Sequence, residues 1–286
     1  MKTIAKILLA ALAYVIGTML SGAMAAALHL PAPSAPPGTT PGMLARNLVL
    51  FSPLLIAGAI ALSSGLGGRF VVRFAAVFAI LYVTVGLNTI VEAAIFSNLI
   101  TGGIGAMSLH YVLPCAFAAA VLAGSFGSGQ PAPSLPRFSV AQWAWRAAVA
   151  WLAFPAIYWT FGMCVAPLVT EYYRAGVGGL HIPPIPIIVS TQLLRSPLFL
   201  IASLPAILLW TKSRRSLFLS LGIAHAVMVG LFGLAQAYWL PNVLRIAHSI
   251  EITFDSFAYA GVLVLLFTRR AEATDAPRAK TATAAS

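Results

Sequence analysis

Long apolar runs, broken by short polar or Pro/Gly-rich segments, dominate the chain. Eight runs stand out, at 4–28, 46–66, 70–99, 104–124, 141–168, 187–211, 216–240 and 246–268. Each reaches the roughly 20 residues that a helix rising 1.5 Å per residue needs to cross a hydrocarbon core of about 30 Å. Within each run the apolar residues are continuous rather than alternating, which excludes a transmembrane β-barrel. The pattern predicts an all-α integral membrane protein, a polytopic bundle of about eight transmembrane helices.

The interruptions define the connections. Residues 31–42 (PAPSAPPGTTPG) predict an extended loop. Gly67-Gly68 and Gly102-Gly103 predict tight turns, 125–137 a flexible connector, and Pro241-Asn242 the turn of the last hairpin. Residues 171–186 (EYYRAGVGGLHIPPIP) mix polar and apolar positions. The plainest reading is a surface loop, with a re-entrant segment or a lid as alternatives. Pro197 and Pro205 predict a kink in the sixth helix. A transmembrane domain is expected over 1–270, followed by a disordered, Ala/Thr-rich cytoplasmic tail at 271–286. The first run resembles a signal peptide ending at Ala23-Met24-Ala25. Its apolar stretch exceeds the usual core of roughly 7–15 residues, so it is read as a retained first helix.

Composition agrees with this picture. Only 8% of residues are charged and 60% are hydrophobic, too few charges to cover a water-facing surface. The net charge of +11 would suggest a nucleic-acid partner if the basic residues formed one patch. They sit instead at helix ends, so lipid is the expected partner and nucleic acid is not. With the N-terminus inside, 13 of the Lys and Arg residues fall on the inner side, among them Arg69, Arg73, Lys212 and Arg215. Four fall outside: Arg46, Arg174, Arg195 and Arg245. This asymmetry places both termini in the cytoplasm of a cell whose Ala-rich, short-looped protein suggests a bacterial inner membrane. Trp143, Trp145, Tyr238 and Trp239 are expected at the interfaces. Cys115 and Cys164 fall at different depths and are read as small buried apolar residues rather than a disulfide.

Candidate chemistry rests on six acidic residues. Glu272 and Asp275 lie in the tail and Glu171 in the 171–186 loop, but Glu92, Glu251 and Asp255 lie inside expected helices. A charge at the bilayer centre costs roughly 2.5–3.5 kcal/mol, so such residues face the bundle interior and find partners. In the last helix Arg245, His248, Glu251 and Asp255 are spaced 3, 3 and 4 apart, which makes one stripe. In the third helix Thr84, Asn88 and Glu92 make another. With His110 and Arg195 these groups reach one layer toward the outer face, while His225 lies deeper and reads as an ordinary buried histidine.

Three readings follow. The first is a transport-like protein whose polar pathway uses Asn88, Glu92, Arg195, Arg245, Glu251 and Asp255 for a proton or small solute. The second is a metal-dependent intramembrane enzyme, with a divalent ion held by His248 and Glu251 and completed by Asp255, Glu92 or His110. The third is a polar cluster whose members satisfy one another, with Arg195 and Arg245 pairing with the carboxylates. The stretch Glu92-Ala93-Ala94-Ile95-Phe96-Ser97 superficially resembles the glutamate-pair motif of CAAX-type intramembrane proteases. Alanine stands for its second glutamate, serine for its arginine, and Leu221 for the phenylalanine four residues before His225. These departures fall on the catalytic positions, so the chain is not assigned to that family.

Overall fold

The computed structural model describes residues 2–32, 34–100 and 103–268. Among these, eight helices are long and apolar enough to cross a membrane. They are α1 (Lys2–Ala27), α2 (Pro41–Ser63), α3 (Phe70–Phe96), α4 (Ile104–Phe126), α5 (Val140–Arg174), α6 (Ile185–Leu208), α7 (Arg214–Gln236) and α8 (Asn242–Phe267). No strand forms among the described residues. All eight expected runs are present, and the largest change is α5, which continues past its expected end at 168 to Arg174. Gly102, the basic residues from Arg269 onward and the tail expected to be disordered lie outside the described residues.

The helices pack as a closed ring, in the order α1–α4–α3–α6–α5–α8–α7–α2 and back to α1. Small residues bring the backbones together, as expected where lipid removes the usual hydrophobic drive between helices. A Cβ on Gly58 would stand 2.7 Å from that of Val227, so the Val227 side chain of α7 seats directly on the α2 backbone there. Leu55, Leu62, Ile80, Leu122, Leu221 and Leu263 fill the ring's centre.

Polar side chains finish the helix ends, where four carbonyls lack intrahelical donors. On the face where α1 begins, Arg73 donates to Ala123 O at the end of α4 and to Gly68 O. Arg146 donates to Leu266 O at the end of α8 (2.8 Å). The same face is laced by Gly67 N to Leu209 O and Gly68 N to Gln130 O, each 2.8 Å. The start of α1 and the end of α8 therefore share one face, as an even number of crossings requires. Ser139 caps α5, with Gln142 completing the reciprocal bond.

On the far face the expected 171–186 loop shortens to 175–184, because its ends join α5 and α6, and the remainder stays on the surface. After a turn through Gly176 and Gly178, both at positive φ, it is tied to the end of α3 by Asn98 N to Gly179 O and His181 N to Phe96 O, both 3.0 Å. The strap lies across the bundle mouth because the extended α5 delivers the chain there. Cys164 also differs from expectation: Cys115 is buried, but Cys164 is exposed on the outer surface of α5.

Candidate functional site

Below the strap lies a cavity of about 320 Å³, within the range of small-molecule sites of about 300–1,000 Å³. It descends from Ser97, Leu180 and Trp239 in the far-face connections to His225 and Tyr259 deeper in the bundle. Helices α3, α5, α6, α7 and α8 all contribute walls. Most of the lining is apolar, and the polar groups converge from two sides.

The first side is built around Arg195 of α6, which is 3% exposed. Its Nε donates to Asn88 Oδ1 (2.8 Å), one terminal nitrogen to Gln192 Oε1 (2.9 Å), and the other pairs with Glu92 Oε1 (2.7 Å). Phe154, Tyr158 and Phe199 surround the guanidinium at 5.6–5.9 Å. A guanidinium directs its donors in a rigid planar fork, and here each arm meets an acceptor. The amide nitrogens of Asn88 and Gln192 are buried and lack partners among the described residues.

Local structure explains this position. Proline at 155 cannot donate to Trp151 O, and proline at 197 cannot donate to Leu193 O. Ser196 donates its hydroxyl to Trp151 O (2.7 Å), and Trp151 donates its indole N–H to Leu193 O (2.8 Å). Each helix thus supplies the donor that the other's proline removed. This lock fixes α6 one residue from Arg195.

The second side is α8. His248 Nε2 stands 3.1 Å from Tyr173 Oη, and His248 Nδ1 stands 2.5 Å from Glu251 Oε2. Tyr173, His248 and Glu251 therefore form one hydrogen-bonded chain, a route along which a proton can pass. Glu251 is 7% exposed, yet its Oε1 accepts no hydrogen bond among the described residues. It has room because α5 carries glycine opposite: a Cβ on Gly162 would stand 3.3 Å away. One turn deeper, Asp255 Oδ1 is buried without a partner among the described residues.

Two π-helical turns border the cavity. In α3 the turn Tyr82–Leu87 closes with Asn88 N to Val83 O, and in α7 the turn Val227–Leu231 closes with Phe232 N to Val227 O. Each widens its helix by one residue: the α3 turn lies just before the lining residues Thr89 and Glu92, and the α7 turn itself contributes Val229 and Gly230. Such bulges often accompany functional sites. Thr84, expected on one stripe with Asn88 and Glu92, lies within the α3 turn and donates to Ile80 O instead of lining the cavity.

The expected site residues separate into two groups. Glu92, Arg195, His248, Glu251 and Asp255 line one cavity, and Asn88 supports Arg195 from behind. Two stand elsewhere. His110 Nε2 bonds Pro31 O (2.9 Å), and Arg245 caps the end of α7 through Leu234 O (2.8 Å) and Ala235 O (3.2 Å). Arg245 is drawn there because the orphan carbonyls of a helix C-terminus are nearer than the carboxylates two turns below. The expected pairing of Arg245 with a carboxylate is therefore replaced by a helix cap.

His248 and Glu251 supply a two-donor pair for a metal. Among the described residues no three His, Cys, Asp or Glu side chains are grouped to hold an ion. Sequence reasoning passed over Tyr158, Tyr173 and Gln192. Gln192 carried a usable signal, since it precedes Arg195 by three residues and so shares its helix face. His225, read as an ordinary buried residue, is bonded to Ser203 (3.0 Å) and also lies against the cavity. Trp239, expected at an interface, lines the upper cavity beside Gly178. No protein-family model, curated protein or solved structure matches the chain.

Proposed function

We propose that this multi-pass membrane protein is transport-like and admits a small solute or proton from the outer face of a bacterial inner membrane. In this reading the far face is the outer one, both termini are cytoplasmic, and the bilayer is the surrounding partner. The observation that carries the reading is a cavity running from the far-face connections to carboxylates within the helical bundle. Glu92, Glu251 and Asp255 are the candidate solute or proton sites, with Asn88 and Arg195 holding Glu92. Arg245 keeps a supporting role as the cap of α7.

A purely structural cluster accounts for Arg195, whose arms all meet acceptors. It does not account for Glu251 Oε1 and Asp255 Oδ1, which lack partners among the described residues. Of the two, Asp255 Oδ1 is the buried one; an unsatisfied buried acceptor costs about 1–3 kcal/mol, and retaining it is reasonable where a ligand supplies the donor.

Transport requires access from both faces at different times. The test is a cysteine-free variant carrying Ser256→Cys, labelled with an impermeant thiol reagent in intact cells and in inverted vesicles. Labelling from both sides is expected, with the balance altered by Asp255→Asn. Labelling from neither side removes the pathway.

A second reading, an intramembrane enzyme, draws on His248. A carboxylate at one ring nitrogen and a hydroxyl at the other is the arrangement of an oriented general base. Its metal-dependent form would use His248 and Glu251, joined by Asp255 or Glu92 of the same cavity. Elemental analysis of the purified protein separates transport from the metal-dependent form of the enzyme. The transport reading predicts no stoichiometric zinc or iron, and a stoichiometric metal lost in His248→Ala would establish the enzyme instead.

A further inference from the structure

We infer that the cavity takes an organic ammonium compound, a positively charged nitrogen on an apolar body. This deepens the solute reading above and rests on it for the route of access.

Charge chooses the sign of the ligand. Three carboxylates, Glu92, Glu251 and Asp255, face a single guanidinium in the lining. Arg195 is already committed to Glu92, so an incoming anion finds no uncommitted cation there. His248 is likewise engaged, with both ring nitrogens at Tyr173 and Glu251. The unpartnered amide nitrogens of Asn88 and Gln192 lie outside the lining, and the unfilled positions within it are carboxylate oxygens and the Tyr259 hydroxyl. Glu251, nine-tenths buried, presents Oε1 without a donor among the described residues. Asp255 Oδ1, one turn below, is in the same state. Two acceptors on one face of α8 suit a donor or a positive charge placed between them.

The walls choose the rest of the ligand. Phe96, Phe154, Phe199, Trp239, Leu244 and Ile252 line the space with hydrocarbon and aromatic surface. A hydrated metal ion gains little from such walls, whereas an alkyl or aryl body is desolvated by them. Aromatic faces also attract ammonium groups, quaternary ones included. The volume of about 320 Å³ accommodates a small amine rather than a lipid or a peptide.

The probes are phenethylammonium and benzyltrimethylammonium, titrated calorimetrically against the full-length protein in lipid nanodiscs. Neopentylbenzene, which has the shape of benzyltrimethylammonium with carbon in place of nitrogen, is the neutral control. Phenylpropionate is the anionic control. At least one cation should bind, with both controls about tenfold weaker or more. Asp255→Asn and Glu251→Gln should each weaken cation binding by a similar factor, while Glu171→Gln leaves it unchanged.

Equal binding of neopentylbenzene would overturn the proposal without requiring any variant. So would preference for phenylpropionate, binding of neither cation, or unchanged affinity in both carboxylate variants. Two-sided labelling of Ser256→Cys without cation binding would sink the ammonium assignment and leave the pathway. Cation binding without that labelling would leave a binding site and sink transport.

Discussion

Arg195 and Arg174 show how one residue type carries different weight in different surroundings. The Arg174–Glu171 pair is exposed, with side chains 65% and 78% accessible, and pairs of this kind contribute about 0–1 kcal/mol. Arg195 and Glu92 are 4% and 34% accessible, and the guanidinium has two further acceptors. Removing one partner of a buried pair costs about 3–5 kcal/mol, because the other charge is left uncompensated. Arg195→Gln should therefore lower the thermal unfolding temperature of the purified protein strongly, and Glu171→Gln should leave it nearly unchanged. Glu92→Gln should fall between them, since Glu92 retains contact with the cavity. A large effect at Glu171 would contradict this ranking. Arg195 was legible in the sequence as a cation inside an apolar run, but its partner was not. Spacing identifies neighbours within a helix; the choice between Glu92 and the α8 carboxylates was made by packing between helices.

Helices α5 and α6 are joined through their prolines. If Trp151 stands in for the donor missing at position 197, its value depends on that proline. Trp151→Phe should cost about 0.6–1.7 kcal/mol in the native background, the range of measured interhelical hydrogen bonds in membranes. In a Pro197→Ala background the helix supplies its own N–H, and the same substitution should cost measurably less. Denaturant or thermal unfolding across the four proteins gives the coupling. Additive effects would show that the indole bond is incidental. Hydropathy located all eight helices, because length and continuity of apolar residues mark a membrane span almost regardless of context. It gave no warning of the π-helical turns at Tyr82–Leu87 and Val227–Leu231. Such turns depend on a close neighbour, as where Gly86 admits Tyr111 of α4, and a stripe drawn at constant pitch passes straight through them.

For the whole molecule, the ring of eight helices brings α3, α5, α6, α7 and α8 around one cavity, though they are dispersed along the sequence. The common layer of the α3, α6 and α8 polar groups was expected from helix direction, but the part played by α5 was not. Exclusion of His110 and Arg245 was not, since both were claimed by nearby carbonyls. The basic-residue asymmetry predicts that reporter fusions at both termini will register as cytoplasmic, and an external signal from either would reverse the faces. The central claim is that carboxylates within the helical bundle meet water at one face. A water-soluble carbodiimide with an impermeant amine, applied to intact cells and mapped by mass spectrometry, tests it on the native residues. Glu171, exposed on the far face, is the internal standard. The account predicts that Glu251 and Asp255 are modified along with Glu171, and that benzyltrimethylammonium protects them while leaving Glu171 reactive. Modification of Glu171 alone, with Glu251 and Asp255 untouched until detergent dissolves the membrane, would contradict it.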